Sequence, residues 1–302
     1  MNKKLKGNLL LLLTSFIWGS AFVAQSVGME HIGPFTFNMA RNIMATLFLA
    51  VVIMFLDNKK KSAGMYKHMD DKEKKLLLTG GLTCGLILFV SGSLQQVGLL
   101  YTTAGKAGFI TTLYVVIVPI FGLFLGKKVS TKIWICVAAA AIGLYFLSIT
   151  ESFTIGKGDF LMFLCAISFS FHILVIDYFS PKVDGVKMSC IQFLVVALAS
   201  AVATFLFESP NFNSIWISIK PILYAGILSS GVGYTLQIVA QKDTDPTIAS
   251  LILSLESVFA VLTGFFFLGE MLTRREFFGC AIIFMAIIVA QLPDRRKLPS
   301  NI

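Results

Sequence analysis

The residues able to do chemistry in this chain are few, and most stand inside long apolar runs. Glu256 lies about ten residues into the run 246–268, roughly 15 Å deep if the run is helical. A carboxyl group at that depth is a candidate proton carrier, or a hydrogen-bonded packing group between helices. Arg41 sits about seven residues, or roughly 10 Å, into the run 34–56, with Asn38 and Asn42 on the same side. Its permanent charge suits a carboxylate on a solute or an acidic partner; bracing neighbouring carbonyls is the structural alternative. Ser230, Tyr234, Gln237 and Gln241 recur at i, i+4, i+7 and i+11, a polar stripe that should face a watery path or another helix's polar face. Gln95, with Ser91 one turn away, adds an amide, and His172, with Ser168 one turn before, is a candidate proton relay or a satisfied packing histidine. Trp18 and Tyr114 offer rings for stacking on a solute, or for packing in a bundle. Asp177 falls near the end of a run and reads as a cap or gate, and Glu270 reads as a surface pair with Arg274 four residues on.

The elements that must position these groups are apolar runs near 8–28, 34–56, 76–98, 104–125, 132–149, 158–178, 186–207, 219–240, 246–268 and 276–292. About 20 residues of helix cross a bilayer core, so the pattern predicts an all-α integral membrane protein of ten transmembrane helices. Composition agrees. Charged residues make up 14% of the 302, against roughly 25% in soluble domains, and the mean hydropathy is +0.83. The first run, behind Lys3, Lys4 and Lys6, is too long for a signal-peptide core and reads as a retained span. Gly81 and Gly85 form a close-packing signature, not a phosphate loop.

The net charge of +9 does not mark nucleic-acid binding, because Lys and Arg fall in the connectors without interleaved aromatics. With the N-terminus inside, nineteen of the 25 Lys and Arg lie in inside segments, five lie outside, and Arg41 is in a span. Both termini are therefore expected in the cytoplasm, which requires an even number of spans. The connector 57–75, from Lys59-Lys60-Lys61 to Lys74-Lys75, is expected on the anionic inner leaflet. Cys84, Cys136, Cys165, Cys190 and Cys280 lie in apolar runs without metal-ligand spacing, so neither a metal nor a disulfide is expected.

The two halves repeat each other. At an offset of 143, Phe124-Leu125-Gly126 falls on Phe267-Leu268-Gly269, and Ala107, Thr111, Tyr114 and Val118 fall on Ser250, Ser254, Ser257 and Val261. Leu94-Gln95-Gln96-Val97 matches Leu236-Gln237-Ile238-Val239 one residue out of that register, and Arg41 and Gln192 hold similar early positions in their spans. Halves 1–149 and 150–302 each contain five spans, an odd number, so they must enter the membrane from opposite sides. Such inverted repeats are typical of transporters, whose site lies at the repeat interface near the midplane.

With these residues in view, the chain resembles the EamA-type, ten-span members of the drug/metabolite transporter superfamily, from Leu9 to Gln291. The resemblance is carried by Phe16-Ile17-Trp18-Gly19-Ser20, Met39-Ala40-Arg41, Thr103 to Phe109, Val118-Pro119, Leu255 to Ala260 and Phe267-Leu268-Gly269-Glu270. The tract from His172 to Lys182, with Gln192-Phe193, is similar to one bacterial branch. Ser257 stands where that family often has proline, which removes the basis for a proline kink there. The resemblance implies export or exchange of a small metabolite, amino acid or drug-like compound across the cytoplasmic membrane.

The expected cavity set is Trp18, Arg41, Gln95, Tyr114, His172, Tyr234, Gln237 and Glu256, with Glu256 as the proton-coupling candidate. The partners are a small-molecule substrate, the lipid bilayer and protons. No cofactor is expected, and the absence of a G-x-x-x-x-G-K-[ST] run points to a gradient or counter-substrate for energy. A non-transporting receptor or assembly protein, or an intramembrane lipid-modifying enzyme, is the alternative. The enzyme would need a nucleophile with its base or paired carboxylates, and the sequence places neither beside Glu256.

Overall fold

The computed structural model describes residues 3–102, 104–148, 156–268 and 273–292. Gly269 and Glu270, and with Glu270 its expected pair with Arg274, lie outside them. The described residues are helical with short connections. The first half comprises α1 (Lys3–Gly28), α2 (Pro34–Ser62), α3 (Asp71–Leu99), α4 (Ala104–Thr112), α5 (Tyr114–Phe124) and α6 (Thr131–Ser148). The second comprises α7 (Lys157–Phe179), α8 (Gly185–Phe207), the short α9 (Phe212–Ile217) and α10 (Ile219–Leu223), a π-helical stretch Tyr224–Tyr234, α11 (Thr235–Gln241), α12 (Pro246–Leu253), α13 (Leu255–Leu268) and α14 (Arg274–Gln291).

Eight helical segments among the described residues are long and apolar enough to cross a membrane. The segments α4–α5, α10–α11 and α12–α13 each count as one crossing element despite their interruptions. Two further apolar helices, α6 and α14, pack against each other along their length. The connector expected over 57–75 is shorter than its charge suggested. Helix α2 continues through its lysines to Ser62, and α3 starts at Asp71 under a capping box made by Asp70 and Glu73. Lysines near the end of α2 complement its dipole, so the helix has reason to run on beyond the apolar stretch.

The burial pattern is that of a protein whose solvent is lipid. Phe124 is 84% exposed, Phe205 73% and Phe207 74%, while His172, Gln96 and Gln192 are fully buried. Apolar side chains cover the outside and polar groups collect in the middle, where another protein group can satisfy them. Gly81 and Gly85 do serve close packing. A Cβ on either would meet Ile191 at 2.4 Å or Val195 at 2.6 Å on α8.

Contacts between the halves obey an exchange rule. Helix α2 packs on α8 and α6 on α14, each pair joining helices of equal rank in their halves. The packing of α3 on α7 is matched by that of α1 on the π segment and α11, and α4–α5 on α7 by α12–α13 on α1. Helices α2 and α8 run antiparallel. At one end, Glu208, just past α8, accepts from the amides of Phe35 and Thr36 (both 2.8 Å) and from the Thr36 hydroxyl (2.6 Å). At the other end, Lys187 near the start of α8 pairs with Asp57 at 2.8 Å. Helix α2 has no side-chain cap of its own at Gly33, so its free amides are satisfied from the other half.

Candidate functional site

The centre of the bundle is built where two helices break. Helix α4 ends at Thr112 and α5 begins at Tyr114; α12 ends at Leu253 and α13 begins at Leu255. Around both breaks the backbone tightens into i→i−3 bonds, from Val116 to Leu113 and from Ser257 to Ser254. The second break needs no proline, consistent with Ser257 at the position where one was absent. The repeat register places these breaks in equivalent segments, and in the fold they face each other. Glu256, in the first turn of α13, therefore reaches the first turn of α5.

There Glu256 Oε1 accepts from the Tyr114 hydroxyl at 3.0 Å and lies 3.3 Å from Thr112 Oγ1. Thr112 already donates its one proton to the Gly108 carbonyl at 2.6 Å and shares a 2.8 Å contact with the Ser257 hydroxyl. Tyr114 is thus the firm donor to the carboxyl group, which is 4% exposed. Helix α1 passes close behind: a Cβ at Gly19 would lie 2.5 Å from the Glu256 carbonyl oxygen.

Around Glu256 lies a narrow cavity bounded by Trp18, Phe22, Gln25, Arg41, Gln95, Thr111, Tyr114, Phe169, Ser229 and Tyr234. Six of the eight residues expected at the site meet here: Trp18, Arg41, Gln95, Tyr114, Tyr234 and Glu256. His172 and Gln237 do not. His172 is fully buried behind Tyr234, with their ring centroids 5.9 Å apart, and shares a 3.2 Å hydrogen bond with Gln192. Ser168, expected beside His172, instead accepts from the Ser91 hydroxyl at 2.7 Å. Asp177 takes an ion pair, 2.6 Å from Lys127.

The π segment explains the displacement of Ser230 from the stripe. Its wider turn carries about one more residue than an α turn, so side chains spaced for 3.6 no longer share a face. Ser229 comes to the cavity in place of Ser230. Gln237 and Gln241 lie beyond the π segment on the regular helix α11, about one and two turns past Tyr234, where Gln241 donates to the Ile173 carbonyl at 3.0 Å. Trp18 holds this segment by donating to the Ser229 carbonyl at 3.2 Å, and its ring packs on Tyr234 at 4.4 Å. Gln25, Phe22, Thr111 and Phe169 are additions to the expected set. Two carried a signal: Thr111 stands on the repeated face Ala107, Thr111, Tyr114 and Val118, and Gln25 is an amide three residues from the end of α1.

Arg41 is 7% exposed. Its Nη1 donates to Gln25 Oε1 at 3.0 Å, and Gln96 donates to the same oxygen. The guanidinium also lies over Phe37, 5.8 Å from the ring centre. Among the described residues no carboxylate pairs with it, and its Nε has no partner. The cavity has a volume of about 30 Å³, room for one or two waters and, as it stands, not for a metabolite.

The EamA-like transporter family matches residues 5–149 and again 156–291, nearly the whole chain in two consecutive copies. The chain belongs to the EamA-like transporter family. It is 34% identical to an "uncharacterized transporter" of Archaeoglobus fulgidus over 291 residues, covering 96% of this chain and 87% of that protein. It is 22% identical to the "uncharacterized transporter YoaV" of Bacillus subtilis over 295 residues, covering 95% and 98%. A crystal structure superposes with a TM-score of 0.77 at 17% identity, covering 96% of this chain and 98% of the other, which establishes a shared fold. This EamA-like protein is a multi-pass membrane transporter, and the central cavity is its candidate solute site.

Proposed function

We propose that this EamA-like protein is a secondary transporter that exports a small metabolite, amino acid or drug-like compound across the cytoplasmic membrane by alternating access. Ten spans divide into the inverted halves 1–149 and 150–302, with both termini in the cytoplasm, as the Lys and Arg distribution favours. The observation that carries the mechanism is the Glu256 carboxyl group bound to Tyr114 of the opposite half at 3.0 Å, at the meeting point of two interrupted helices. Proton uptake at Glu256 changes this tie from a charge-assisted bond to a neutral one, which is weaker by about half. A proton at Glu256 thereby biases which end of the bundle can separate, coupling solute movement to the proton gradient.

The test is flux in proteoliposomes for a panel of amino acids and organic cations, with and without an imposed pH gradient. Gradient-driven flux should vanish in Glu256→Gln, while exchange in the absence of a gradient persists. Gradient-driven flux equal to the parent's would end the coupling role of Glu256. The absence of flux for every compound would favour the receptor or enzyme alternative.

A further inference from the structure

Arg41 raises a question that packing does not answer. A guanidinium removed from water costs several kcal/mol unless an anion and a full set of acceptors replace its hydration. Here one neutral amide oxygen serves Nη1, no carboxylate pairs with the group, and Nε is unpartnered, although the side chain is 7% exposed. The group lines the central cavity together with Tyr234 and Glu256. The repeat supplies an internal control. Pro34 and Arg41 of α2 correspond to Gly185 and Gln192 of α8 at an offset of 151, and those two helices pack on each other across the halves. The same position is thus built in α8 with a neutral amide, bound to His172. Helix packing at this point does not require a charge.

Resting on the transport reading, we infer that the solute carries a single carboxylate, which docks on the Arg41 guanidinium once the cavity has widened to admit it, while its apolar body lies against Trp18 and Tyr234. A guanidinium edge presents two parallel N–H donors matched to the two oxygens of a carboxylate. The magnitude of charge selects a monovalent group. The cavity holds one guanidinium and one carboxyl group and no lysine, so a phosphate dianion would leave a buried charge uncompensated. A monocarboxylate with Glu256 protonated, or an amino-carboxylate with Glu256 ionised, leaves the loaded site neutral. A second cavity, of about 410 Å³ at the Asp57–Lys187 end, has the matching sign: Lys60, Lys67, Lys182, Lys187 and Lys242 outnumber Asp57, Glu73 and Asp184 around it. That excess favours the approach of anions.

The experiment is binding by the full chain in lipid nanodiscs, followed by calorimetry or thermal stabilisation, so that it does not depend on flux. The probes are 3-phenylpropionate against 3-phenylpropionamide, phenylalanine against phenylalaninamide, phenyl phosphate and 2-phenylethylamine. Each carboxylate should bind at least roughly thirty-fold more tightly than its amide, the cost of leaving one partner of a buried charge pair alone. Arg41→Gln should abolish that preference, and Arg41→Lys should restore part of it. If Arg41→Gln fails to fold, the acid–amide comparison on the parent decides alone. Equal binding of acid and amide, tighter binding of phenyl phosphate or 2-phenylethylamine, a preference that survives Arg41→Gln, or no binding of either acid would each overturn the inference. Flux of an uncharged solute in liposomes would overturn it while leaving the transporter reading intact. Carboxylate binding without flux would do the reverse.

Discussion

Glu208 and Gly33 form a testable unit, because the effect of one substitution should run entirely through the other residue. The Glu208 carboxylate accepts two amide bonds and one hydroxyl bond from the start of α2, which has no cap of its own. Replacing an N-cap acceptor costs about 1 kcal/mol. The Thr36 hydroxyl bond to a half-buried carboxylate adds about 1 kcal/mol after allowance for screening. Glu208→Ala should therefore destabilise the protein by roughly 2 kcal/mol, near thirty-fold in the folding equilibrium. Gly33 has φ −70° and ψ 163°, which alanine adopts without strain. Yet a Cβ there would lie 2.2 Å from the Glu208 carboxyl carbon, so the carboxylate must leave its three donors. Gly33→Ala should cost the same roughly 2 kcal/mol, and the double variant no more than either single one. Reversible unfolding of all four proteins in one mixed-micelle system measures this cycle. Additive losses near 4 kcal/mol would refute the shared mechanism, and a harmless Gly33→Ala would refute the geometry.

At the other end of the same helix pair, exchanging charges with Asp57→Lys and Lys187→Asp together should recover most of the stability that either single reversal loses, about 1 kcal/mol or more by the same unfolding assay. Gly19→Ala should cost about 1–3 kcal/mol by overpacking, since its Cβ would meet the Glu256 carbonyl at 2.5 Å and Phe259 Cβ at 2.7 Å. Thermal unfolding would show this, and a melting temperature equal to the parent's would contradict the close crossing of α1 and α13.

The two latches are related by the repeat. Asp57 and Glu208 differ by 151 residues, as do Thr36 and Lys187, so equivalent positions clasp the two ends of the antiparallel pair α2 and α8. The chemistry differs: a carboxylate on backbone amides at one end, an ion pair at the other. Opening either end of the bundle along this pair breaks one clasp and spares the other.

The amino-acid sequence by itself determined the helical class, the approximate limits of the apolar segments and the doubling of the chain. These follow from hydropathy and spacing, which act locally. It also singled out Glu256 and Arg41, because an ionisable group in an apolar run is conspicuous wherever the run later packs. Partners were another matter. Membrane helices are apolar on every side, so periodicity does not say which face meets which neighbour. Only the tertiary structure decided that Tyr114 and Thr112 meet Glu256 more than 140 residues away, that Gln25 serves Arg41, and that Glu208 caps α2 from the other half. It also put His172 behind Tyr234 and Gln237 outside the lining of the central cavity. The π-helical turn Tyr224–Tyr234 brings Ser229 to the cavity where a 3.6-residue period assigns Ser230, and no local residue preference announces that shift.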